Sequence, residues 1–337
     1  MKGGINQMLA VKLAGLGRYL PQQRVANSEL EAQLGIPAEW IERATGVLER
    51  RYIEKGETAL TMGAAASLMA LDEAALTVND LDAIICASSA PHQMIPCTAA
   101  LLQGELHAPD GASACFDINA TCLSFLFALQ TAAHLIDAGA YRTVLICSSE
   151  VASGSLNPHE RESAVLFGDA ATAAILTRRQ PGETSAYWHA RFETYSSGAR
   201  LTEIVGGGTH HHPNRPDTTS EMNLFHMEGI AIFKQAALLM GPFLERFFTD
   251  LGWRREEIEA VVPHQASRHA IEQLSRRLGF RSEQLVLNLA LRGNCISASI
   301  PLALQEAVEG GRIVRGDRLL LVGTGAGLTL GAVALTY

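Results

Sequence analysis

Several signatures that identify common classes of protein are missing from this 337-residue sequence. Acidic residues outnumber basic ones and give a net charge of −8, whereas nucleic-acid-binding proteins usually carry a basic patch, so we expect no nucleic-acid partner. There is no apolar run long enough to span a bilayer and no basic, apolar leader, so we expect no membrane association. The G-x-S-x-G segment of many serine hydrolases is also missing.

The six cysteines give little sign of disulfides or of a metal site. They occupy positions 86, 97, 115, 122, 147 and 295 and form no C-x-x-C pair, so reduced thiols in a cytoplasmic protein are the simplest interpretation. Three consecutive histidines lie in the loop 206–213, but consecutive side chains cannot all face one ion, and no cysteine or carboxylate cluster flanks them. We therefore expect no metal and no permanently bound cofactor.

What the sequence does contain is the alternation of strands and helices that is typical of an α/β protein. Hydrophobic residues make up 47% of the chain and charged residues 18%, which indicates a large folded core. Apolar runs predict strands at 9–17, 81–87, 143–148 and 167–176, and helical periodicity predicts a helix at 60–75. Strands that alternate with helices predict a largely parallel sheet covered by helices.

The same pattern returns after a segment rich in Gly, His, Pro, Arg and Thr at 178–222. The repeated elements are a helix at 229–248, a strand running into a loop at 258–265, a strand at 286–290 and a helix after the turn at 293–294. We therefore predict two duplicated α/β halves, residues 1–180 and 181–337, with 178–222 as a variable loop region. Loops at equivalent ends of the two sheets would then converge between the halves.

One strand–turn–helix stretch, residues 116–129, contains a candidate nucleophile. Cys122 falls where the turn becomes the helix, so it would meet unpaired backbone N–H groups and the positive end of the helix dipole. Both would favour the thiolate, which is the nucleophilic form of cysteine. The alternative is that Cys122 is a small buried apolar residue, as most free cysteines are.

Two polar residues of the second half fall in equivalent loops. His264 ends an apolar strand in Pro263-His264-Gln265, and Asn294 follows Gly293 before a helix. Each has a plain alternative, because His264 could be an interior histidine with its hydrogen bonds made and Asn294 an ordinary helix cap. Three chance placements in corresponding loops are improbable, so we predict that the two residues share a site with Cys122.

Beyond these three residues, a set of segments matches a known pattern along nearly the whole chain and most weakly over 178–222. The segments are Glu39-Trp40-Ile41, Thr45-Gly46, Asp117 to Phe125, Arg161, Phe167-Gly168-Asp169, Pro263 to Ala266, Gly293-Asn294, Ser297 to Pro301 and the glycine-rich terminal turn. With these segments the sequence resembles the 3-oxoacyl-[acyl-carrier-protein] synthase III (ketoacyl synthase III) family of the thiolase superfamily. The resemblance implies a thiolase-like fold in which the duplicated halves form αβαβα layers.

The resemblance also implies a two-step reaction. An acyl group passes from coenzyme A to Cys122, and a malonyl thioester then loses carbon dioxide and attacks the acyl-cysteine to give a 3-oxoacyl product. His264 and Asn294 would donate hydrogen bonds to the enolate-like oxygen, and the backbone N–H groups of Cys122 and Ala326 would form the oxyanion hole. Two alternatives remain, an acyltransferase that forms no C–C bond and a catalytically silent subunit of a heterodimer.

Binding roles follow from the same resemblance. The implied residues are Trp40, Arg161, Ser267 and Arg268 for coenzyme A and its pantetheine arm, Ile95 and Phe167 for the acyl pocket, and Lys234, Arg276 and Arg277 for docking of acyl carrier protein. Ile95 would reach across a homodimer. Arg276 and Arg277 could equally be a solvated helix face. The chain departs from the family pattern at Ala44, Ser267 and His269, and the last two motivate the acyltransferase alternative.

Overall fold

The computed structural model of the chain describes residues 8–337. Its α-helices are α1 (Asn27–Leu34), α2 (Trp40–Thr45), α3 (Ala59–Glu73), α4 (Thr98–Glu105), α5 (Ser124–Asp137), α6 (Arg161–Ala164), α7 (Gly229–Leu251), α8 (Arg268–Arg277), α9 (Leu289–Arg292) and α10 (Ser299–Glu309). Its β-strands are β1 (Val11–Tyr19), β2 (Gln23–Ala26), β3 (Glu49–Tyr52), β4 (Ala83–Cys86), β5 (Ala114–Asp117), β6 (Thr143–Glu150), β7 (Ala170–Arg178), β8 (Ala186–Thr194), β9 (Thr202–Glu203), β10 (His226–Met227), β11 (Ala260–Pro263), β12 (Arg318–Gly325) and β13 (Thr329–Thr336). Over these described residues, no helix is both long enough and apolar enough to cross a bilayer.

Two sheets with matching strand order form the framework. The first has the order β1-β7-β6-β4-β5, and the second has the order β8-β13-β12-β11. In both sheets the first three strands pair antiparallel, and the following pairs, β6 with β4 and β12 with β11, are parallel. The predicted duplication is therefore present in the sheet topology, and the turn 179–185 separates the two sets of strands. The boundary between 180 and 181 stays a prediction.

Helices α5 and α10 form a central layer between the two sheets. Eight of the fourteen residues of α5 are buried, and eight of the eleven residues of α10, because both helices pack against apolar side chains from both sheets in one core. Helices α3 and α4 cover the outer face of the first sheet, and α7 covers that of the second. The arrangement is the expected αβαβα layering, which brings the loops that follow β5, β11 and β12 together.

The prediction of a variable loop region at 178–222 is wrong for the first part of that range, which contains the strand β8. This strand pairs with β13 and takes the place that β1 has in the first sheet. Its face toward α7 carries charged residues, among which Arg191 binds Asp250 of α7 at 2.9 Å and Glu193 accepts from Arg246 of α7 at 2.7 Å. A search for long apolar runs missed the strand because these ion pairs give an edge strand a half-polar sequence.

The prediction of a strand at 286–290 is also wrong. Only a single parallel bridge between Leu285 and Val261 remains of it, and the chain then turns into α9. The fully buried side chain of Gln265 makes the hydrogen bonds that a neighbouring strand would make: its Nε2 donates to the carbonyl of Val286, and its Oε1 accepts from the backbone N–H groups of Asn288 and Leu289 at 3.2 Å each. A side chain thus replaces the strand at this edge.

Candidate active site

A cavity of about 710 Å³ lies where the loops of the two halves converge. Its wall includes Cys122, His264 and Asn294, so the structure brings together the three residues that were predicted to share a site. Ala44 and Ile230 also line the cavity and are exposed, so it opens to solvent beside α2 and the start of α7. The site lies at the carboxyl ends of the parallel strands, where ligands usually bind in open α/β sheets.

Cys122 lies in a short 3₁₀ turn, Thr121–Leu123, just before α5. Thr121 has a left-handed backbone φ of +53°, which is uncommon for a β-branched residue. Its hydroxyl lies 2.8 Å from the carbonyl oxygen of Ala120 and 3.3 Å from that of Ala326, so it contacts the glycine-rich turn between β12 and β13 beside the cysteine. The backbone N–H groups of Cys122 and Ala326 lie near the Cys122 sulfur, where both act to lower the pKa of the thiol.

The expectation that the helix start would favour the thiolate is wrong for the free protein. Burial, followed by the negative charge of Glu150, raises the pKa of Cys122 to about 12, although the N–H groups of Cys122 and Ala326 act in the opposite direction. Cys122 is half-buried, but desolvation dominates because protein atoms surround its sulfur, whereas a dipole acts through only the first turn of a helix. Cys122 is therefore a thiol at neutral pH.

Glu150, at the end of β6, is a functional-site residue that sequence reasoning missed. It is 2% exposed, and its carboxylate accepts hydrogen bonds from the Ser89 N–H at 2.6 Å, the Ser89 hydroxyl at 2.7 Å and the Ser297 hydroxyl. Ser297 occupies the place in the second half that Cys122 occupies in the first, so Glu150 links both halves beneath the cysteine. Burial raises the pKa of Glu150 to about 7, against the effect of these hydrogen bonds.

A sequence signal for Glu150 did exist. All eight residues of β6 are buried, and the run Thr143-Val-Leu-Ile-Cys-Ser-Ser-Glu150 places a carboxylate directly after an apolar core strand. A glutamate is rarely buried unless hydrogen-bonded or paired, so an acidic residue at such a position indicates a partner network at the end of the sheet.

His264 is 6% exposed and follows β11. Its backbone N–H donates to the carbonyl of Val322 at 2.8 Å, and a Cβ on Gly323 would come within 2.6 Å of the His264 Cβ, so only glycine leaves the imidazole its place. Burial lowers the pKa of His264 to about 4. The ring is therefore neutral at pH 7 and can donate one hydrogen bond. No described residue hydrogen-bonds to its buried Nδ1.

The side-chain amide of Asn294 has a defined orientation. Its Oδ1 accepts from the Ile296 N–H at 2.8 Å and from the Ser299 hydroxyl at 3.3 Å, so the NH₂ group is the part that is free to face the cavity. Its backbone bridges to the first half, because its N–H donates to Leu166 at 2.9 Å and its carbonyl accepts from Gly168 at 3.1 Å. The residue caps a turn, as the plain alternative proposed, and also presents two donors to the cavity.

The duplicated fold contains an internal counterpart of Asn294. In the first half, Asn119 Oδ1 accepts from the Thr121 N–H at 3.0 Å, just as Asn294 accepts from Ile296, and both turns contain a left-handed residue, with φ of +53° and +50°. The amide of Asn119 donates to the carbonyl of Ser89 at 2.8 Å. No described residue accepts a hydrogen bond from the Asn294 amide, which leaves its donors for a ligand.

Gly293 controls the position of Asn294. Its backbone has φ +65° and ψ −163°, a conformation that is essentially restricted to glycine, and a Cβ there would lie 2.7 Å from the carbonyl oxygen of Leu166. We expect Gly293→Ala to lower the free energy of unfolding by about 1–3 kcal/mol and to lose most condensation activity. Denaturant unfolding and activity assays measure both. Gly104→Ala is the control, since open space surrounds that helical glycine, and unchanged behaviour of both variants would contradict the assignment.

The residues predicted to bind coenzyme A and the acyl group divide into two groups. Trp40, Ser267 and Phe167 line the cavity. Arg161 and Arg268 lie outside its wall and are exposed, and Arg268 pairs with Glu272 on its own helix at 2.9 Å. Their binding roles stay predictions.

The residues predicted to meet other proteins lie on the surface. Ile95 is 84% exposed, beside Met94 at 68% in the same loop, and does not line the cavity. Lys234 on α7 and the pair Arg276 and Arg277 at the end of α8 are exposed. Among residues 8–337, no cluster of three or more His, Cys, Asp or Glu side chains is arranged to hold a metal ion.

Known proteins resemble this chain over nearly its whole length. The profile described as 3-oxoacyl-[acyl-carrier-protein] synthase III matches residues 116–196, and the profile of its C-terminal part matches 248–337. Beta-ketoacyl-[acyl-carrier-protein] synthase III 3 of Streptomyces coelicolor is 37% identical over 329 residues, which cover 96% of each chain. The beta-ketoacyl-[acyl-carrier-protein] synthase III of Rhizobium meliloti is 35% identical and covers 98% of this chain and 100% of its own.

Solved structures agree with the sequence comparisons. The 3-oxoacyl-[acyl-carrier-protein] synthase III of Aquifex aeolicus superposes with a TM-score of 0.87 at 34% identity, over 97% of this chain and 100% of that one. The priming beta-ketosynthase of the R1128 polyketide biosynthetic pathway superposes with a TM-score of 0.89 at 27% identity, over 100% of this chain and 98% of that one. These matches confirm the predicted thiolase-like fold. The chain therefore belongs to the 3-oxoacyl-[acyl-carrier-protein] synthase III family of condensing enzymes.

Proposed function

We propose that the chain moves an acyl group from coenzyme A to Cys122 and condenses it with a malonyl thioester, with loss of carbon dioxide. The observation that carries the proposal is one cavity in which a cysteine, a neutral histidine and an oriented amide all face the same space. The names of the relatives support condensation over the acyltransferase alternative.

The first step forms the acyl-enzyme. The Cys122 sulfur attacks the thioester carbonyl, and the oxyanion accepts hydrogen bonds from the backbone N–H groups of Cys122 and Ala326, whose effect on the pKa of Cys122 supports their proximity to the sulfur. Coenzyme A leaves when the tetrahedral intermediate collapses. The proton of the Cys122 thiol leaves with the coenzyme A sulfur, so this half-reaction neither consumes nor releases a proton.

The second step forms the C–C bond. As the malonyl carboxylate leaves as carbon dioxide, negative charge moves onto the thioester oxygen, where the Asn294 amide and the His264 N–H donate hydrogen bonds. Neutral donors suit this step because they stabilise the enolate without protonating its carbon. The carbanion then attacks the acyl-cysteine, the 3-oxoacyl thioester forms, and the released Cys122 sulfur takes up one proton.

The substrates and partners are part of the proposal. Trp40, Arg161, Ser267 and Arg268 lie around or near the cavity entrance, which suits coenzyme A, and no permanently bound cofactor is required. Lys234, Arg276 and Arg277 would meet the acidic acyl carrier protein. The exposed Ile95 loop suits a homodimer contact that completes the acyl pocket with Phe167. Free cysteines throughout the described residues suit a cytoplasmic location.

Intact-protein mass spectrometry with a panel of acyl-CoAs, followed by malonyl-acyl carrier protein, tests the proposal. We expect Cys122 to gain one acyl group, then to lose it as carbon dioxide is released and the product gains two carbons. Cys122→Ala should show neither event. Acyl loading without carbon dioxide release would instead support the acyltransferase alternative, and no loading with any acyl-CoA would support a silent subunit.

A further inference from the structure

Beyond the three site residues, the cavity wall includes buried apolar residues beneath α7 and α8. The wall of this part of the cavity is formed by Val261 of β11, Met240 and Leu244 of α7, Leu274 and Leu278 of α8, and Phe280, and we call this space the α7–α8 branch. Both helices begin beside the cavity entrance and run away from it, so the branch leads from the reacting cysteine along the outer face of the second sheet.

Each helix turns one face toward this space. The lining positions of α7 include 233, 236, 240 and 244, and those of α8 include 270, 271, 274, 275 and 278, which is the three- and four-residue spacing of one helical face. The rise of 1.5 Å per residue makes the stretch from Ala236 to Leu244 about 12 Å long, and that from Ala270 to Leu278 about the same. A lipid acyl tail spans about 15 Å, half of a bilayer core, so the branch suits a chain of comparable length.

The apolar character of the wall also indicates which kind of ligand the branch would bind. The six residues that define the branch are aliphatic or aromatic, and the Ser275 hydroxyl is a small polar exception. The charged members of the cavity wall, Glu162 and Glu203, belong to other elements than the two helices that flank the branch. Ala236 and Ala270 lie about one turn nearer the entrance than Met240 and Leu274, and their small side chains leave the passage wide.

We propose that the α7–α8 branch holds the alkyl tail of a medium- or long-chain acyl group, about ten carbons or more, while its carbonyl lies at Cys122. The inference rests on the proposed function and names its acyl substrate class. Burial of each methylene group improves binding about fourfold, so a filled branch would favour long chains over acetyl groups strongly. The alternative position for the tail, beside Ile95 of a partner subunit, is tested in the same experiment.

The experiment compares initial rates of Cys122 acylation by saturated acyl-CoAs of two to sixteen carbons, read by intact-protein mass spectrometry. We expect the wild-type protein to accept ten to fourteen carbons at low substrate concentration. Met240→Trp should lower the ratio of long- to short-chain loading about a hundredfold, the factor that three to four buried methylene groups would give. Leu238→Trp is the control on the same helix, because Leu238 is 71% exposed and outside the cavity wall, and it should keep the wild-type ratio.

Ala270→Phe, at a half-buried position, gives a second way to block the branch if Met240→Trp fails to fold. Wild-type protein that loads acetyl but no chain of ten carbons would overturn the inference and leave the condensing function intact. Loading of long chains that is unchanged in both blocked variants, or that falls only in Ile95→Trp, would also overturn it. Failure to load any acyl group would instead count against the proposed function itself.

Discussion

Asn294→Ala should lower the rate of decarboxylative condensation by about 100- to 1,000-fold, the usual effect of removing one donor from an oxyanion-binding site. Acylation of Cys122 should change much less, because we propose that its oxyanion is bound by the backbone N–H groups of Cys122 and Ala326 and not by Asn294. Single-turnover acylation by mass spectrometry and carbon dioxide release from malonyl-acyl carrier protein measure the two steps separately.

The matched control is Asn294→Asp, which separates a structural role from a chemical one. Aspartate keeps the oxygen that accepts from Ile296 and Ser299, so the turn should persist, but it presents an acceptor where the amide presents donors. We expect this variant to unfold like the wild type and to condense as poorly as Asn294→Ala. Wild-type condensation by the aspartate variant would show that Asn294 only caps the turn.

His264→Ala should reduce condensation by a similar factor for the same reason. The pH dependence distinguishes its role as a neutral donor from that of a charged one. Because burial lowers the pKa of His264 to about 4, the ring stays neutral as pH falls from 8 to 6. Condensation should therefore show no loss from titration of His264 over that range.

Glu150→Gln should increase the reactivity of Cys122. Removal of the negative charge beside the sulfur lowers the pKa of the thiol, and a fall of one pKa unit gives about tenfold more thiolate at pH 8. The glutamine can keep the network, because its oxygen can accept from the Ser89 N–H and the Ser297 hydroxyl, and its NH₂ can donate to the Ser89 hydroxyl.

Alkylation of Cys122 by iodoacetamide, mapped by peptide mass spectrometry from pH 6 to 10, measures this effect. In the wild type, ionisation of Glu150 near pH 7 should flatten the rise of rate with pH, since the new charge raises the pKa of Cys122. The glutamine variant should rise about tenfold per pH unit throughout, as a single thiol does. Glu105→Gln, at an exposed position on α4, should behave as the wild type. Identical pH profiles for all three proteins would show that Glu150 does not control the reactivity of Cys122.

The sequence was sufficient to predict the convergence of Cys122, His264 and Asn294, because a repeated pattern places equivalent loops at equivalent sheet ends. The chemical state of Cys122 could not be predicted, since it depends on how deeply the two halves bury the sulfur. Glu150 was missed because its partners, Ser89 and Ser297, lie far apart in the chain and meet only in the fold.

The elements that were predicted wrongly share one physical cause. The edge strand β8 was missed because Arg191 and Glu193 make ion pairs with α7, so the sequence of the strand is half polar. The strand predicted at 286–290 was replaced because the side chain of Gln265 took its hydrogen bonds. Local pattern predicts neither outcome, because both depend on side chains that are distant in sequence.

The turns that contain Asn119 and Asn294 have similar backbones, but their side chains have different partners and roles. Each turn contains one residue with a left-handed backbone conformation. The first turn carries the Cys122 thiol, and the second carries Ser297, whose hydroxyl donates to Glu150. The amide of Asn119 donates to Ser89 in the loop after β4, whereas no described residue accepts from the amide of Asn294, which is available to a ligand. Neither half alone supplies Cys122, His264 and Asn294, so a separated half would lack the complete site.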